Sequence, residues 1–222
     1  MVEHLLWEQG VVGSNPATPT TNTMKIAITG TSSGVGKHLA ELLKFDHDVI
    51  ELPRSVFDLD YPDTITSIDH VDVLINCAGH DLGGKVPFTD HKFEHWHKIM
   101  NTNLISVMRL SQQVLISNPK ALIINITSTN NDKFWPGDLV YSLSKKSVEI
   151  FGEMIQTEYP DADIREVRLG LTKTEFNSNR HKPGHKDIDD LYEANDCLDP
   201  LDVAEQIHLF IYSTDKFIRI AP

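Results

Sequence analysis

Apolar residues along this chain fall into short unbroken runs separated by stretches of helical spacing. KIAIT (25–29), DVIEL (48–52), VDVLINCAG (71–79), ALIINIT (121–127), DIREVRL (163–169) and KFIRI (216–220) read as strands. Their near-continuous apolar character fits strands covered on both faces better than the alternation of a half-exposed sheet. Between them, Val35, Leu39, Leu42 and Leu43 repeat at helical spacing over 35–45, and further helices are predicted over 90–116, 138–158 and 200–213. The stretch between Asp58 and Asn76 is short for a crossover, which predicts a trimmed helix there. Strands alternating with helices define an α/β chain, and right-handed crossovers make it a doubly wound, mostly parallel sheet with helices on both faces. With no internal repeat and no boundary after residue 24, residues 24–222 are predicted to form a single domain.

The first 23 residues carry no Lys or Arg, end in a Pro/Thr/Asn-rich run and hold no period, so a disordered leader is expected. Gly13-Ser14-Asn15-Pro16 is also what the T-arm of a transfer-RNA gene would encode, which predicts read-through from a neighbouring gene and a native start at Met24. Composition narrows the function. A formal charge of −12 argues against a nucleic-acid partner, which needs clustered Lys and Arg. No apolar run reaches the roughly 18 residues of a membrane span, so no membrane partner is expected. Cys77 and Cys197 make no CxxC pair, which leaves neither a disulfide framework nor a thiolate metal site. A cytoplasmic setting is the default.

Candidate chemistry begins in ITGTSSGVGKHLAELL (28–43). Gly36-Lys37 invites comparison with a nucleoside-triphosphate loop, but that loop needs Gly where Thr31 stands and Ser or Thr where His38 stands. A dinucleotide cradle fits better, because the glycines leave a strand and open a helix whose N-terminal amides can meet a pyrophosphate. Downstream, NCAG (76–79) ends a strand, Ser128 follows another, and Tyr141 and Lys145 form a YxxxK pair 13 residues after Ser128. TGxxxGxG, NxAG and Ser-x12-Tyr-x3-Lys in that order resemble the short-chain dehydrogenase/reductase family, over essentially all of 24–222.

Residues four apart on a helix share a face, so Tyr141 and Lys145 can act on one ligand. A phenol with a pKa of about 10 is a poor base at neutral pH, and a neighbouring ammonium is expected to lower that value. The resemblance implies a Rossmann-like fold and an NAD(P)(H)-dependent oxidoreductase that interconverts an alcohol and a carbonyl of a small molecule. It implies that Tyr141 is the general acid/base, Ser128 orients the substrate oxygen, Lys145 also binds the nicotinamide ribose, and Asn103 supports a water-linked proton relay.

The same resemblance implies cofactor contacts. Gly30, Thr31, Ser32, Ser33, Gly34, Val35 and Gly36 would form the pyrophosphate loop. Asp58 and Leu59 would meet the adenine, and Asn76, Ala78 and Gly79 would line the adenosine-ribose side. Thr172 and Thr174 would stand at the nicotinamide end, and Tyr141 and Lys145 would also touch the cofactor. Leu169 departs from the family's proline before Gly170, which alters the expected local loop. Arg54 follows the second strand where a 2′-phosphate would be read, so NADP(H) is favoured and NAD(H) is the alternative; Glu51 is expected to fall within the strand.

Segment 175–198 matches the family's substrate-covering loop, and its basic cluster of Arg180, Lys182 and Lys186 is expected to be solvated. The resemblance further implies a homodimer or homotetramer paired through the helices at 90–116 and 138–158. Two rival readings exist. One is a non-catalytic dinucleotide sensor; the other is a sugar-nucleotide epimerase or dehydratase, which shares YxxxK but carries GxxGxxG. His91, His95 and His97 read as a solvated helix face, since no Glu or Cys completes a metal motif, and no metal is expected. Phe134, Trp135 and Phe176 read equally as pocket wall or core.

Overall fold

The apolar runs pair as their burial demands. In the computed structural model, which describes residues 23–65, 67–68, 70–180 and 187–222, the strands are β1 (Lys25–Thr29), β2 (Asp48–Leu52), β3 (Val73–Asn76), β4 (Leu122–Ser128), β5 (Asp163–Leu169) and β6 (Phe217–Ile220). The helices are α1 (Gly34–Leu43), α2 (Phe93–Met100), α3 (Ser106–Ser117), α4 (Leu139–Glu158), α5 (Glu175–Arg180), α6 (Asp187–Ala194) and α7 (Pro200–Ile211). The strands form one parallel sheet in the order β2-β1-β3-β4-β5-β6. The leader 1–22, together with Lys182 and Lys186, lies outside the described residues.

Alternate strand residues face alternate layers. Ile26, Ile28, Ile75 and Ile124 pack with Leu39 and Leu43 of α1 and with Val203, Ile207 and Phe210 of α7. Ala27, Leu74, Ile123 and Ile164 face the opposite layer, against Leu110, Val114 and Leu115 of α3. Both sheet faces are thereby dry, which explains why the strands lack a polar alternation. Between β2 and β3 the described chain forms a single 3-10 turn at Pro62–Thr64 in place of the trimmed helix. Leu59, Ile65 and Ile68 cover the sheet there instead, so three side chains replace a helical face.

Three other expectations change. The run at 71–79 contributes only Val73–Asn76 to the sheet, because Cys77 and Ala78 turn to donate their amides to Thr29 Oγ1 at 3.1 and 3.0 Å. The long helix at 90–116 starts at Phe93 and is split by a wide turn at Asn101–Ile105, in which the Ser106 amide bonds the Asn101 carbonyl five residues back. The polar stretch at 175–198 contains α5 and α6. No helix among the described residues is long and apolar enough to cross a membrane.

Candidate active site

The chain runs β1 to β2 on one side of the sheet and then returns to place β3 on the other side of β1. That reversal opens a crevice beyond the carboxyl ends of the strands, where doubly wound folds hold their ligands. A cleft of about 810 Å³ occupies it, walled by the turn after β1, the residues after β3, the ends of β4 and β5, and α5.

Sequence dictates the floor. Gly30 has φ +77°, a conformation that side-chain-bearing residues rarely adopt, and an added Cβ would lie 2.9 Å from the Ala78 Cα. Gly36 is pressed against the Gly30 carbonyl, so any Cβ there would collide with backbone. These contacts bring the start of α1 up to the crevice. Ser33 at its N-cap makes no side-chain capping bond, which leaves the first amides of α1 for an anionic ligand. Thr31, Ser32, Gly34 and Val35 also line the cleft. This cradle fits the pyrophosphate of a dinucleotide.

At one end of the cleft lie Arg54, Asp58 and Leu59. Arg54, 72% exposed, reaches Asp60 Oδ2 at 2.6 Å and Asp58 Oδ1 at 3.6 Å. Asp60 is the buried hub: Thr102 Oγ1 donates to Oδ1 at 2.6 Å, and His80 Nε2 stands 3.1 Å from the same oxygen. Burial works to raise the Asp60 pKa, but the bonds from Thr102 and His80 with the Arg54 charge leave it below the usual carboxylate range. Glu51 lies in β2, as expected, and pairs with Lys44.

At the other end, Ser128 closes β4 and accepts the Asn130 amide at 3.2 Å. Tyr141 and Lys145 rise from one face of α4 into the same cleft. Lys145 is 5% exposed, and its Nζ donates to the Ile126 carbonyl at 2.9 Å. Burial presses its ammonium down to about 8, with Cys77 acting against that. Tyr141 runs opposite to expectation. Burial pushes its phenol up to about 12, with Ser128 and the Arg180 guanidinium opposing and Asp81 and Asp138 adding to the rise. The anticipated lowering by Lys145 is not what this geometry produces: the cation acting on the phenol is Arg180.

Asn103 and Asn76 stand behind the cleft wall. Asn103 is fully buried in the wide turn; its Oδ1 accepts the His80 amide at 3.0 Å, and its Nδ2 donates to the His80 carbonyl and to Ser144 Oγ, each at 3.0 Å. An added Cβ at Gly79 would meet Lys145 Nζ at 3.1 Å and Asn103 Oδ1 at 3.3 Å, so both groups converge on that glycine. Asn76 Nδ2 donates to Asn125 Oδ1 at 2.9 Å and ties β3 to β4. Ala78, Gly79, Thr172, Thr174, Leu169 and Gly170 all line the cleft.

Of the aromatic candidates, Trp135 and Phe176 line the cleft, whereas Phe134 is neither wall nor core, being 66% exposed. Phe176 packs 5.6 Å from the Tyr141 ring. His91 precedes α2 and is buried, and His95 packs against it at 6.3 Å, which corrects the solvated-face reading for those two. No group of three potential metal ligands exists among the described residues. Arg180 is also unlike its expectation: it is 11% exposed and paired to Asp81 and Asp138. Asp81, Asp138 and the Asp60 hub went unsingled in the sequence because no local spacing marks them.

Glycine cradle, crevice and the Ser128/Tyr141/Lys145 group together define a dinucleotide-dependent oxidoreductase of the α/β class. A family model described as short chain dehydrogenase matches residues 61–184. The chain is 30% identical to the NADP-dependent 3-hydroxy acid dehydrogenase of Schizosaccharomyces pombe, over 88% of this chain and 89% of that one. Its fold is similar to a small-chain dehydrogenase in complex with NADPH, with TM-score 0.78, 17% identity and coverage of 90% and 97% of the two chains. It is also similar to the closed form of serine dehydrogenase complexed with NADP+, with TM-score 0.74, 20% identity and coverage of 89% and 94%. The chain belongs to the short-chain dehydrogenase family and is an NAD(P)-dependent oxidoreductase acting on alcohol or carbonyl groups.

Proposed function

We propose that this protein uses NADP(H) to interconvert a small-molecule alcohol and its carbonyl, with Tyr141 as general acid/base. The observation that carries the reading is the convergence of Ser128, Tyr141 and Lys145 on one cleft that also holds the glycine cradle. When bound, the nicotinamide supplies or accepts the hydride. In the reducing direction the Tyr141 hydroxyl donates a proton to the substrate oxygen, and in the oxidising direction its phenolate takes one. Ser128 donates a hydrogen bond to that oxygen and fixes its position. Lys145 holds the nicotinamide ribose, and buried Asn103 maintains the relay that returns the proton from solvent. Thr172 and Thr174 receive the nicotinamide end, and Asp58 and Leu59 the adenine.

The NADP(H) preference rests on Arg54, whose exposed guanidinium beside the cleft suits a 2′-phosphate. The S. pombe relative, named for NADP and a 3-hydroxy acid, directs the first substrates to 3-hydroxy and 3-oxo acids. Following NADPH and NADH oxidation against 3-oxo acids, aldehydes, ketones and sugars tests the reading. It predicts turnover with a clear NADPH preference; tight cofactor binding without turnover of any carbonyl would replace it with the sensor reading. The protein assembles as a homodimer or homotetramer, supported by Met108 on α3 and Leu143, Ile150 and Met154 on α4, all exposed, and we place it in the cytoplasm. Light scattering on the purified protein tests the assembly, and a monomer would contradict it.

A further inference from the structure

Helix α5 carries two side chains onto the acid/base. Phe176 packs against the Tyr141 ring, and one turn later the Arg180 guanidinium carbon lies 5.8 Å from the centre of that ring. Arg180 does not lie there freely. Its Nε stands 2.7 Å from Asp81 Oδ2, and its second nitrogen pairs with Asp138 Oδ1. Both carboxylates are 1% exposed at the side chain; one comes from the loop after β3, the other from the residue before α4. The buried guanidinium meets both buried carboxylates, so removing it leaves two anions in a dry site without their nearest cation. The cluster therefore staples α5 to two separate elements and sets its charges beside the phenol.

The groups facing Tyr141 are few. Ser128 at the end of β4, Arg180 of α5, and the two carboxylates paired to that guanidinium, Asp81 and Asp138, act on the phenol. Lys145, on its own helix, commits its Nζ to the Ile126 carbonyl. Lys85 lies 3.8 Å from Asp138 Oδ2, to which Asn130 Nδ2 also donates at 3.2 Å; burial, joined by the Asp138 charge, raises the Asp81 pKa, and Arg180 and His91 oppose that rise. Arg180 is thus a cation that stands over the Tyr141 ring and is paired to two carboxylates.

We propose that Arg180 is a positioning residue for the acid/base: clasped by Asp81 and Asp138, its guanidinium holds α5 over the Tyr141 ring and offsets the two carboxylates at the phenol. This rests on Tyr141 being the acid/base. Closing α5 and setting the proton affinity of the site are then one event. With α5 lifted, the phenol faces two carboxylates without their cation and holds its proton too tightly to accept another from an alcohol. With α5 down, the guanidinium restores the balance.

The test is the pH dependence of kcat/KM for oxidation of 3-hydroxybutyrate, or of the alcohol that corresponds to the fastest carbonyl of the panel above, at saturating NADP+. Oxidation needs the phenolate, so the rate rises through the apparent pKa of Tyr141. Arg180→Gln should move that rising limb to higher pH by about one to two units, the effect of one charge about 6 Å away at an effective dielectric constant of about 20 to 40. Asp81→Asn and Asp138→Asn should move it to lower pH. The double variant Arg180→Gln/Asp81→Asn should return it towards the parent, and Arg180→Lys should shift it less than Arg180→Gln. Should Arg180→Gln melt before assay, Arg180→Lys and the two asparagine variants carry the comparison. A merely structural clasp would lower kcat in every variant without moving the limb, or move it in one direction only; either result overturns the proposal. Tyr141→Phe separates the two levels: a fully active variant removes the acid/base reading itself, whereas an inactive one with unmoved limbs in the Arg180 and Asp81 variants removes only this inference.

Discussion

Replacing Lys145 with methionine should inactivate the protein and, at neutral pH, stabilise it. Burial holds the Lys145 ammonium at about 8, against an ordinary 10.5. Keeping it charged in the folded state costs about 3 kcal/mol relative to the unfolded chain below that range. Methionine removes the cost but leaves the Ile126 carbonyl, now bonded to Nζ at 2.9 Å, without its donor. That loss is about 1–3 kcal/mol, so the net gain at pH 7 is about 1 kcal/mol. The pH dependence is the sharper readout. Below pH 8 the lysine is protonated in both states and its cost is complete; between about 8 and 10.5 the folded side chain is neutral while the unfolded one is charged, so parent stability rises. Relative to the variant, the parent should gain about 2.5 kcal/mol between pH 7 and pH 10. Tyr141 is held protonated up to about 12 in the folded state of both proteins, and its titration at about 10 in the unfolded chain is common to both, so it cancels from the difference. Guanidinium unfolding of both cofactor-free proteins, followed by circular dichroism across this range, makes the measurement. Parallel stability curves would refute the reasoning, because they would mean that Lys145 is not held against its charge.

Arg54→Ala should raise KM for NADPH about tenfold or more and leave KM for NADH nearly unchanged, since a charge-assisted bond to phosphate is worth about 1.5–3 kcal/mol; equal effects on both cofactors in steady-state kinetics would show that Arg54 reads no phosphate. Gly36→Ala forces a Cβ onto the Gly30 carbonyl and displaces the start of α1. NADPH affinity by fluorescence titration should fall at least tenfold, and a variant with parental affinity would mean that the cradle does not hold the pyrophosphate.

Much of the sheet is readable in the sequence because parallel strands buried on both faces leave unbroken apolar runs, as IAI (26–28) and LII (122–124) do. Ser128, Tyr141 and Lys145 are readable because a strand end and one helical turn suffice to bring them together. The break in the helix at 101–105 is not, because it goes with tertiary contacts: Thr102 Oγ1 donates to Asp60 Oδ1, and Asn101 Nδ2 donates to the Asp60 carbonyl at 2.8 Å. Helices α5 and α6 hide in a polar stretch because packing against the cleft, rather than a long apolar stripe, organises them. The Arg180 cluster joins positions 81, 138 and 180, whose separation along the chain carries no periodic signal. The direction of the Tyr141 shift eluded the sequence for a related reason. A lysine four residues away can be counted from the sequence, but the weight of burial against it cannot.

The central claim is that the phenol of Tyr141 exchanges the proton that accompanies hydride transfer. Tyr141→Phe removes that oxygen and little else, so kcat for carbonyl reduction should fall roughly 10²–10⁴-fold while the NADPH dissociation constant stays within a few-fold of the parent. A variant that binds NADPH as the parent does and turns over within a few-fold of its rate would contradict the account.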